Sequence, residues 1–368
     1  MRRSRRLIKI LVVDDSALVR RLLGQIFATD PEFTVEFARS GAEALARLQT
    51  FDPDVVTLDV NMPEMDGLSC LNHIMLDSPR PVVMVSSATA AGAETTFEAM
   101  RLGAVDVIAK PSGAMSLDIH DMAPRLIDTV RSASVAKVGG IRRLRDRVAR
   151  KVGLKPDAST RKRATISPSK TVSTATGEGV VLVGVSTGGP PVLEKLLESL
   201  APNFSWPVVI AQHMPATFTS ALAARLDRLS ALSVSEVTKV TPLEPGHVYV
   251  ARGDADIIIS SRSNSIVAMP APPKPDYLWR PSVERLVRTA MEHVPAKQLI
   301  GVMLTGMGND GSQAMADLKA AGGRTIAESE DSAVVWGMPG ELVKAGGADW
   351  VEAASDIGPL LNRLTPCP

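Results

Sequence analysis

The chain has 368 residues and a formal net charge of +1, with 45% hydrophobic and 22% charged residues. This length suits two domains, and the composition is that of a globular protein with well-filled cores. So small a net charge creates no global field that would favour nucleic acid or membranes as partners. We therefore expect neither nucleic-acid binding nor membrane insertion.

The cysteines and the N-terminal segment indicate a cytoplasmic protein. Cys70 and Cys367 lie far apart, which excludes a disulfide scaffold and fits a reducing cytosol. The start, MRRSRRLIKILVVDDS, is basic and then apolar, but its apolar stretch is too short for a signal peptide and contains Lys9. No apolar run approaches the ~20 residues of a membrane span.

The first third of the chain alternates apolar runs with amphipathic stretches. The apolar runs cover residues 8–13, 55–58, 82–85 and, more weakly, 105–109. Helical spacing of apolar residues appears in 16–28, 41–48 and 94–102. Strands that alternate with helices predict βαβ units and a parallel sheet, and five such units end near residue 130.

Residues 131–177 differ in composition and predict a basic flexible linker. From 134 to 177 the chain carries twelve Lys and Arg residues against Asp146 and Asp157, a net charge of +10, so the rest sums to −9. A solvated spacer explains this composition. Four apolar residues would share one face of a helix there: Ile141, Leu144, Val148 and Val152. A helix that docks on an acidic partner is therefore the alternative.

The alternation of strands and helices resumes after the linker. Residues 180–185, 208–211 and 299–304 are continuous apolar runs, which is typical of parallel strands covered on both faces. We expect a doubly wound, mostly parallel α/β domain over 178–366. Residues 233–275 contain more proline and only short strand-like runs, so they predict an antiparallel or irregular insertion.

Acidic residues follow two of the predicted strands in the first domain. Asp14 and Asp15 end the first strand, and Asp59 ends the third. Because ligands bind beyond the carboxyl ends of parallel strands, these carboxylates should converge on a hard cation, and Mg²⁺ is the natural candidate. Ser86 and Lys110 end the next two strands and could bind a phosphoryl group on Asp59. Helix capping by Asp14 or Asp15 is the simpler alternative.

The first domain resembles a response-regulator receiver domain, with a five-stranded flavodoxin-like fold, in four segments: VVDDSALVRRLL, DVNMPEMDGL, VSSAT and DVIAKP. The resemblance implies that Asp59 accepts a phosphoryl group from the histidine kinase of a chemosensory system. It implies Mg²⁺ ligands at Asp14, Asp15, Asp59 and the Asn61 carbonyl. It also implies that Ser86 and Lys110 sense the phosphate and that the peptide bond between Lys110 and Pro111 is cis.

Ser186 lies in VVLVGVSTGGP, where an apolar strand runs into a glycine-rich turn and the start of a helix. Residues 184–188 fit G-x-S-x-G, a pattern that places a serine hydroxyl on a sharp turn above a sheet. N–H groups at the following helix terminus can stabilise an oxyanion. A phosphate-binding turn is the alternative, although neither G-x-G-x-x-G nor a P-loop lysine is present.

A serine nucleophile needs a base, and the base needs an orienting acid. His213 ends the next predicted parallel strand, and Asp310 lies in the glycine-rich loop of QLIGVMLTGMGNDGS at the same sheet edge. An N-cap or turn role for Asp310 stays open. The order serine, histidine, aspartate differs from that of α/β-hydrolases and predicts a separately evolved triad. We expect the other histidines to be packing or surface residues: His73, His120, His247 and His293.

The second domain resembles the chemotaxis-type protein-glutamate methylesterases in five segments: GVSTGGP, QHMPATFT, RPSVERL, MLTGMGNDGS and VVWGMP. The resemblance implies a serine hydrolase of glutamate methyl esters on methyl-accepting chemotaxis receptors, which can also deamidate receptor glutamines. Ser186 would be the nucleophile, His213 the general base and acid, and Asp310 the orienting acid. The backbone groups of Thr187 and Met307 would bind the oxyanion, and no cofactor is expected for the ester chemistry.

Two segments depart from the family pattern. Glu284 stands in RPSVERL where the family is expected to have Asp, and ARGDAD at 251–256 lacks the usual proline-containing turn. The tethered receiver is expected to cover Ser186 until Asp59 is phosphorylated. A DNA-binding regulator and an inactive receptor-binding scaffold are the rival functions.

Overall fold

The computed structural model describes residues 7–86, 89–110, 118–137, 179–263 and 265–365. Almost all of the predicted linker lies outside the described residues, and so do the predicted docking helix, Pro111 with its peptide bond, and Cys367. Among the helices that are described, none is both long enough and apolar enough to cross a bilayer.

The first domain is a parallel sheet of five strands, as predicted. The strands are β1 (Ile8–Val13), β2 (Phe33–Ala38), β3 (Val55–Asp59), β4 (Val82–Ser86) and β5 (Asp106–Ala109). The helices are α1 (Ala17–Phe27), α2 (Gly41–Phe51), α3 (Gly67–Asp77), α4 (Ala90–Leu102) and α5 (Asp118–Ser134), so α5 runs past the predicted boundary at 130. The strand order β2-β1-β3-β4-β5 is flavodoxin-like, which confirms the predicted fold.

Both faces of this sheet are covered, because successive side chains of β1 point to opposite sides. Ile10 and Val12 pack with apolar residues of α1 and α5. Leu11 and Val13 pack with residues of α2, α3 and α4. All four are buried, which is why this strand is a continuous apolar run in the sequence.

The start of α1 decides what the acidic residues after β1 do. The Ser16 hydroxyl accepts a hydrogen bond from the Val19 N–H and is the N-cap of α1. Asp14 accepts instead from the Ser16 backbone N–H at 2.9 Å. The alternative that Asp14 or Asp15 caps the helix is therefore wrong, and both carboxylates stay at the sheet edge.

The second domain has a sheet of seven parallel strands. They are β6 (Val180–Val185), β7 (Val208–Gln212), β8 (Ser233–Val237), β10 (His247–Ala251), β13 (Leu299–Met303), β14 (Arg324–Glu328) and β15 (Trp350–Glu352). The helices are α6 (Gly189–Glu198), α7 (Ala216–Leu229), α8 (Val283–His293), α9 (Ser312–Ala320), α10 (Met338–Lys344) and α11 (Ala354–Leu364), with a 3₁₀ turn at Ala296–Gln298. The strand order is β15-β14-β13-β6-β7-β10-β8.

The predicted insertion at 233–275 is only partly correct. Three of its strands form a separate antiparallel sheet, namely β9 (Thr241–Pro242), β11 (Asp256–Arg262) and β12 (Ser265–Ala271). However, β8 and β10 join the main sheet in parallel. Val248 and Tyr249 belong to core clusters on opposite faces of the sheet, so β10 is a central strand despite its short apolar run.

The two domains pack together through α4 of the first and α6 and α7 of the second. On α7, the guanidinium of Arg225 lies 5.8 Å from the ring centroid of Phe97 in α4 and donates to Glu194 at 2.5 Å. Glu94 of α4 accepts from Arg228 at 2.6 Å. Apolar residues of both domains form one continuous cluster across this interface.

Candidate active site

The three predicted triad residues meet at the carboxyl edge of the second sheet. From β6 the chain continues to β7 on one side, whereas β13 lies on the other, so the strand order reverses beside β6. Ser186 follows β6, His213 follows β7, and Asp310 lies in the loop after β13. Open α/β sheets bind ligands at such a reversal.

Close backbone packing shapes the turn that carries Ser186. The Ser186 N–H donates to the Thr305 carbonyl at 2.9 Å. Gly188 has a left-handed φ of 78°, which lets the chain turn into α6 without side-chain strain. A Cβ on Gly306 would lie 2.6 Å from the Cβ of Ser186, so the loop after β13 must have a glycine here. Ser186 itself is largely buried, with 8% of its surface exposed.

His213 is held by Asp310 and has a free nitrogen. Its Nε2 lies 2.9 Å from Asp310 Oδ2. Its Nδ1 is buried and has no hydrogen-bond partner among the described residues. An imidazole that donates its Nε2–H to a carboxylate keeps its lone pair on Nδ1, so this atom can accept a proton.

Asp310 lies at the N-terminus of α8, which keeps it charged. It accepts hydrogen bonds from the Ser282 hydroxyl at 3.0 Å and from the N–H groups of Val283 at 2.6 Å and Glu284 at 3.1 Å. Burial alone raises the pKa of Asp310, but hydrogen bonds from His213 and these two N–H groups hold the pKa below its ordinary value. The carboxylate is therefore ionised at neutral pH and can stabilise a charged imidazole.

The two departures from the family pattern lie in the structure around the triad. Glu284 pairs with Arg288 at 2.6 Å, and its other oxygen accepts from the Ala314 N–H at 3.0 Å, so the longer side chain links α8 to α9. Asp256, the last residue of ARGDAD, is buried and pairs with Arg285 at 2.6 Å. Glu284 and Asp256 therefore both support α8, whose N-terminus holds the triad acid.

A cavity of about 580 Å³ lies in front of Ser186 and His213. Thr187 and Met307, the expected oxyanion donors, line it too. In the described part of the chain, neither of their backbone N–H groups donates a hydrogen bond. The other wall belongs to the first domain and includes Asp106, so the cavity lies between the domains.

The first domain contacts the Ser186 turn directly. Asp106, the first residue of β5, accepts a hydrogen bond from the Thr187 hydroxyl at 2.7 Å. The Val105 carbonyl accepts from the Gly188 N–H at 3.0 Å. The sequence predicted that the receiver covers Ser186, but not through which residues, because these contacts join segments that are distant in sequence.

The acidic residues of the first domain form a second polar site. Carboxylate oxygens of Asp14, Asp15 and Asp59 all lie within 4.8 Å of one another, an oxygen donor set that fits a hard divalent cation. Lys110 Nζ lies 3.0 Å from Asp14 and 2.6 Å from Asp59. Burial raises the pKa of Asp59 and repulsion by Asp14 adds to the rise, while Lys110 opposes it. A bound cation would relieve this repulsion.

The remaining predicted receiver residues lie around this carboxylate cluster. The Asn61 backbone N–H donates to Asp59 Oδ1 at 3.1 Å, which places Asn61 beside the cluster. Ser86 is buried at the end of β4, and its hydroxyl donates to the Gly92 carbonyl at 3.2 Å. The structure thus brings together the predicted phosphorylation, metal and phosphate-sensing residues.

The side chains of three other histidines are described, and all lie away from the triad, as predicted. His73 is half-exposed and lies 3.6 Å from Asp77, His247 lies 3.0 Å from the Pro245 carbonyl, and His293 ends α8. In contrast, the sequence does not single out Trp279, which the structure places against His213. Its ring stacks on His213, and the only sequence signal is that one of four tryptophans directly precedes RPSVERL.

Comparison with known proteins identifies the family of each domain. Residues 181–361 match the family model described as CheB methylesterase, and residues 10–120 match the response regulator receiver domain. A protein-glutamate methylesterase/protein-glutamine glutaminase 2 of Rhodopseudomonas palustris (strain BisB18) is 52% identical over 95% of this chain and 96% of its own. A protein-glutamate methylesterase/protein-glutamine glutaminase 3 of Rhodospirillum rubrum is 52% identical over 96% of this chain and 95% of its own.

A solved structure matches the second domain alone. The crystal structure of the Thermotoga maritima CheB methylesterase catalytic domain is 36% identical, with a TM-score of 0.50, and covers 52% of this chain and 100% of its own. The curated relatives extend the match to nearly the full length of both chains. The protein therefore belongs to the CheB methylesterase family, with a response regulator receiver domain in front of the methylesterase domain.

Proposed function

We propose that this protein hydrolyses glutamate methyl esters on methyl-accepting chemotaxis receptors and that phosphorylation of Asp59 controls the reaction. The observation that carries the proposal is the state of His213, which Asp310 holds at Nε2 while Nδ1 is unpartnered among the described residues. The relatives are named both methylesterase and glutaminase, which supports deamidation of receptor glutamines by the same residues.

Hydrolysis begins when Ser186 Oγ attacks the ester carbonyl and His213 Nδ1 takes its proton. The N–H groups of Thr187 and Met307 hold the oxyanion of the tetrahedral intermediate. His213 then gives the proton to the leaving oxygen, so methanol departs and an acyl-enzyme remains. Water attacks this acyl-enzyme with His213 again as base, which releases the glutamate side chain and restores Ser186.

The proposed phosphoryl acceptor is Asp59, and the donor is a histidine kinase of a chemosensory system. The proposed Mg²⁺ ligands are Asp14, Asp15, Asp59 and the Asn61 carbonyl. When bound, Mg²⁺ would neutralise charge on the phosphoryl oxygens. Lys110 already lies 2.6 Å from Asp59 and can form an ion pair with the phosphoryl group. Ser86 can turn its hydroxyl from Gly92 toward the same group.

Strand β5 connects the two sites. Asp106 at its start binds the Ser186 turn through Thr187, and Lys110 directly follows its end. A phosphoryl group that draws Lys110 and Ser86 toward Asp59 changes the contacts at the end of β5. We propose that this change weakens the contact between Asp106 and Thr187 and opens the cavity to the receptor.

The proposal is tested by methanol release from methylated receptor membranes, with and without a small phosphodonor. Wild type should release methanol faster with the donor, whereas Asp59→Asn should stay at the rate without donor because it has no carboxylate to phosphorylate. A donor-independent wild-type rate would contradict phosphorylation control. No release in either state would contradict the esterase and favour the receptor-binding scaffold.

Asp106→Ala should raise methanol release without phosphodonor by about tenfold. The substitution removes the hydrogen bond from the Thr187 hydroxyl to the Asp106 carboxylate. Hydrogen bonds to charged groups contribute about 1.5–3 kcal/mol to stability, and only part of this is expected at a half-buried position. The matched control is Glu94→Gln, which removes the charge of a 49%-exposed ion-pair partner at the same interface. Exposed pairs contribute about 0–1 kcal/mol, so its effect should be smaller. Equal rates of methanol release for Asp106→Ala and wild type would argue that the contact between Asp106 and Thr187 does not inhibit the enzyme.

A further inference from the structure

We propose that Trp279 is a positioning residue that fixes the plane of the His213 ring, an inference that rests on the proposed ester hydrolysis. The ring centroids of Trp279 and His213 lie 5.4 Å apart, and the ring planes differ by only 9°. Trp279 lies between β12 and α8 and lines the same cavity as Ser186 and His213. Neither the sequence pattern nor the triad itself requires an aromatic ring here.

The hydrogen bond to Asp310 alone does not fix the imidazole ring. The ring is attached at Cγ and the hydrogen bond holds Nε2, so the ring plane can still tilt about an axis through these two atoms. Such a tilt would change the direction of the Nδ1 lone pair, because no described residue forms a hydrogen bond with Nδ1. A parallel indole against one face of the ring opposes this rotation, because the ring could then turn only by displacing the indole.

Trp279 is itself held by the loop that carries the triad acid. Gly308 has a φ of 87°, and a Cβ on it would lie 3.2 Å from Cζ2 of the indole. Asp310 follows two residues later. At the other end of the Trp279 loop, the Ser282 N–H donates to buried Asp256 at 2.9 Å and the Ser282 hydroxyl donates to Asp310 at 3.0 Å. Indole, imidazole and carboxylate therefore form one connected unit.

The stacked indole also favours the charged form of His213 that arises during the reaction. When Nδ1 takes the serine proton, the imidazolium lies over the face of the indole, whose π electrons attract a cation. This attraction is absent while His213 is neutral. It therefore stabilises the transition state more than the receptor complex, and its loss should lower kcat rather than raise KM.

The neighbouring residue differs from Trp279 in its exposure. Leu278 is 87% exposed and lines the mouth of the same cavity, as expected of a residue that contacts the receptor. Trp279 is partly buried against His213 and Gly308. Loss of a receptor contact should raise KM, so the two roles are separable by kinetics.

The kinetic test uses the full chain with phosphodonor and methylated receptor membranes. Trp279→Ala should lower kcat about tenfold while KM changes less than about twofold, and Trp279→Phe should restore most of kcat because phenylalanine can still stack. Trp350→Phe, a tryptophan change on the edge strand β15, is the matched control and should keep the wild-type kcat. A rise in KM alone, or wild-type kcat in Trp279→Ala, would overturn the proposal.

A second readout does not depend on activity. In NMR spectra of the same full-length proteins, the ring current of a stacked indole shifts the carbon-bound ring protons of His213 upfield. The shift should disappear in Trp279→Ala and be reduced in Trp279→Phe. Unchanged His213 shifts in Trp279→Ala would refute the stacking, even if wild type releases no methanol. The absence of methanol with the expected shifts would instead refute the esterase proposal and leave the positioning of His213 intact.

Discussion

Ser186→Ala is expected to lower methanol release about 10⁶-fold, to the level of the measurement background. The alanine has no Oγ to attack the ester, so no acyl-enzyme can form. The substitution removes one atom at a site where the backbone is already fixed by the Thr305 carbonyl and by the close approach of Gly306. The loss should therefore come from chemistry and not from the fold. The measurement is methanol release in the presence of phosphodonor.

Two checks make the Ser186→Ala result interpretable. The variant should unfold at the wild-type temperature, because the Ser186 hydroxyl makes no hydrogen bond within the described residues. It should also bind receptor membranes as tightly as wild type, since the substitution leaves the contacts between enzyme and receptor unchanged. Residual methanol release within a hundredfold of the wild-type rate would exclude Ser186 as the nucleophile. It would instead indicate that water attacks the ester directly.

Asp310→Asn is expected to lower kcat about 10⁴-fold. If the asparagine oxygen takes the place of Oδ1, it still accepts from the Ser282 hydroxyl and the Glu284 N–H, but its NH₂ group takes the place of Oδ2 and faces His213 Nε2 and the Val283 N–H. That contact favours the imidazole tautomer with its proton on Nδ1, which cannot act as a base toward Ser186. The neutral side chain also cannot stabilise the imidazolium, whereas the native pKa of Asp310, held below its ordinary value, keeps the charge in place.

The matched control for Asp310→Asn is Asp317→Asn on α9. Asp317 is 42% exposed and pairs with Arg288 at 3.3 Å, outside the cavity, so its substitution should leave kcat within about twofold of wild type. The double variant Ser186→Ala/Asp310→Asn should be no slower than Ser186→Ala alone, because the two residues act in one reaction sequence. Additive losses would show that Asp310 acts independently of the serine.

The sequence by itself determined the two folds and the residues of both polar sites. Parallel strands that are buried on both faces must be continuous apolar runs, and their carboxyl ends must meet at one edge. Polar residues directly after such runs therefore had to converge. This reasoning placed Asp59 beside Asp14, and His213 beside Asp310, without knowledge of the helices between them.

The sequence was wrong or silent where distant segments decide the structure. It assigned β10 to an irregular insertion, because a strand of five residues carries little periodicity and only the neighbouring β7 and β8 show that it is central. A local ambiguity also stayed open: the sequence did not decide whether Asp14 or Ser16 caps α1, and the structure assigns the cap to Ser16.

Only the tertiary structure decided how the triad is oriented and covered. The stacking of Trp279 on His213 and the hydrogen bond from Thr187 to Asp106 both join residues from different strand–helix units. Such contacts have no periodic signature, since they depend on how loops approach one another after the sheets and the domain interface have formed. The physical reason is that burial patterns encode which residues face a core, whereas they do not encode which exposed loops meet across a cavity.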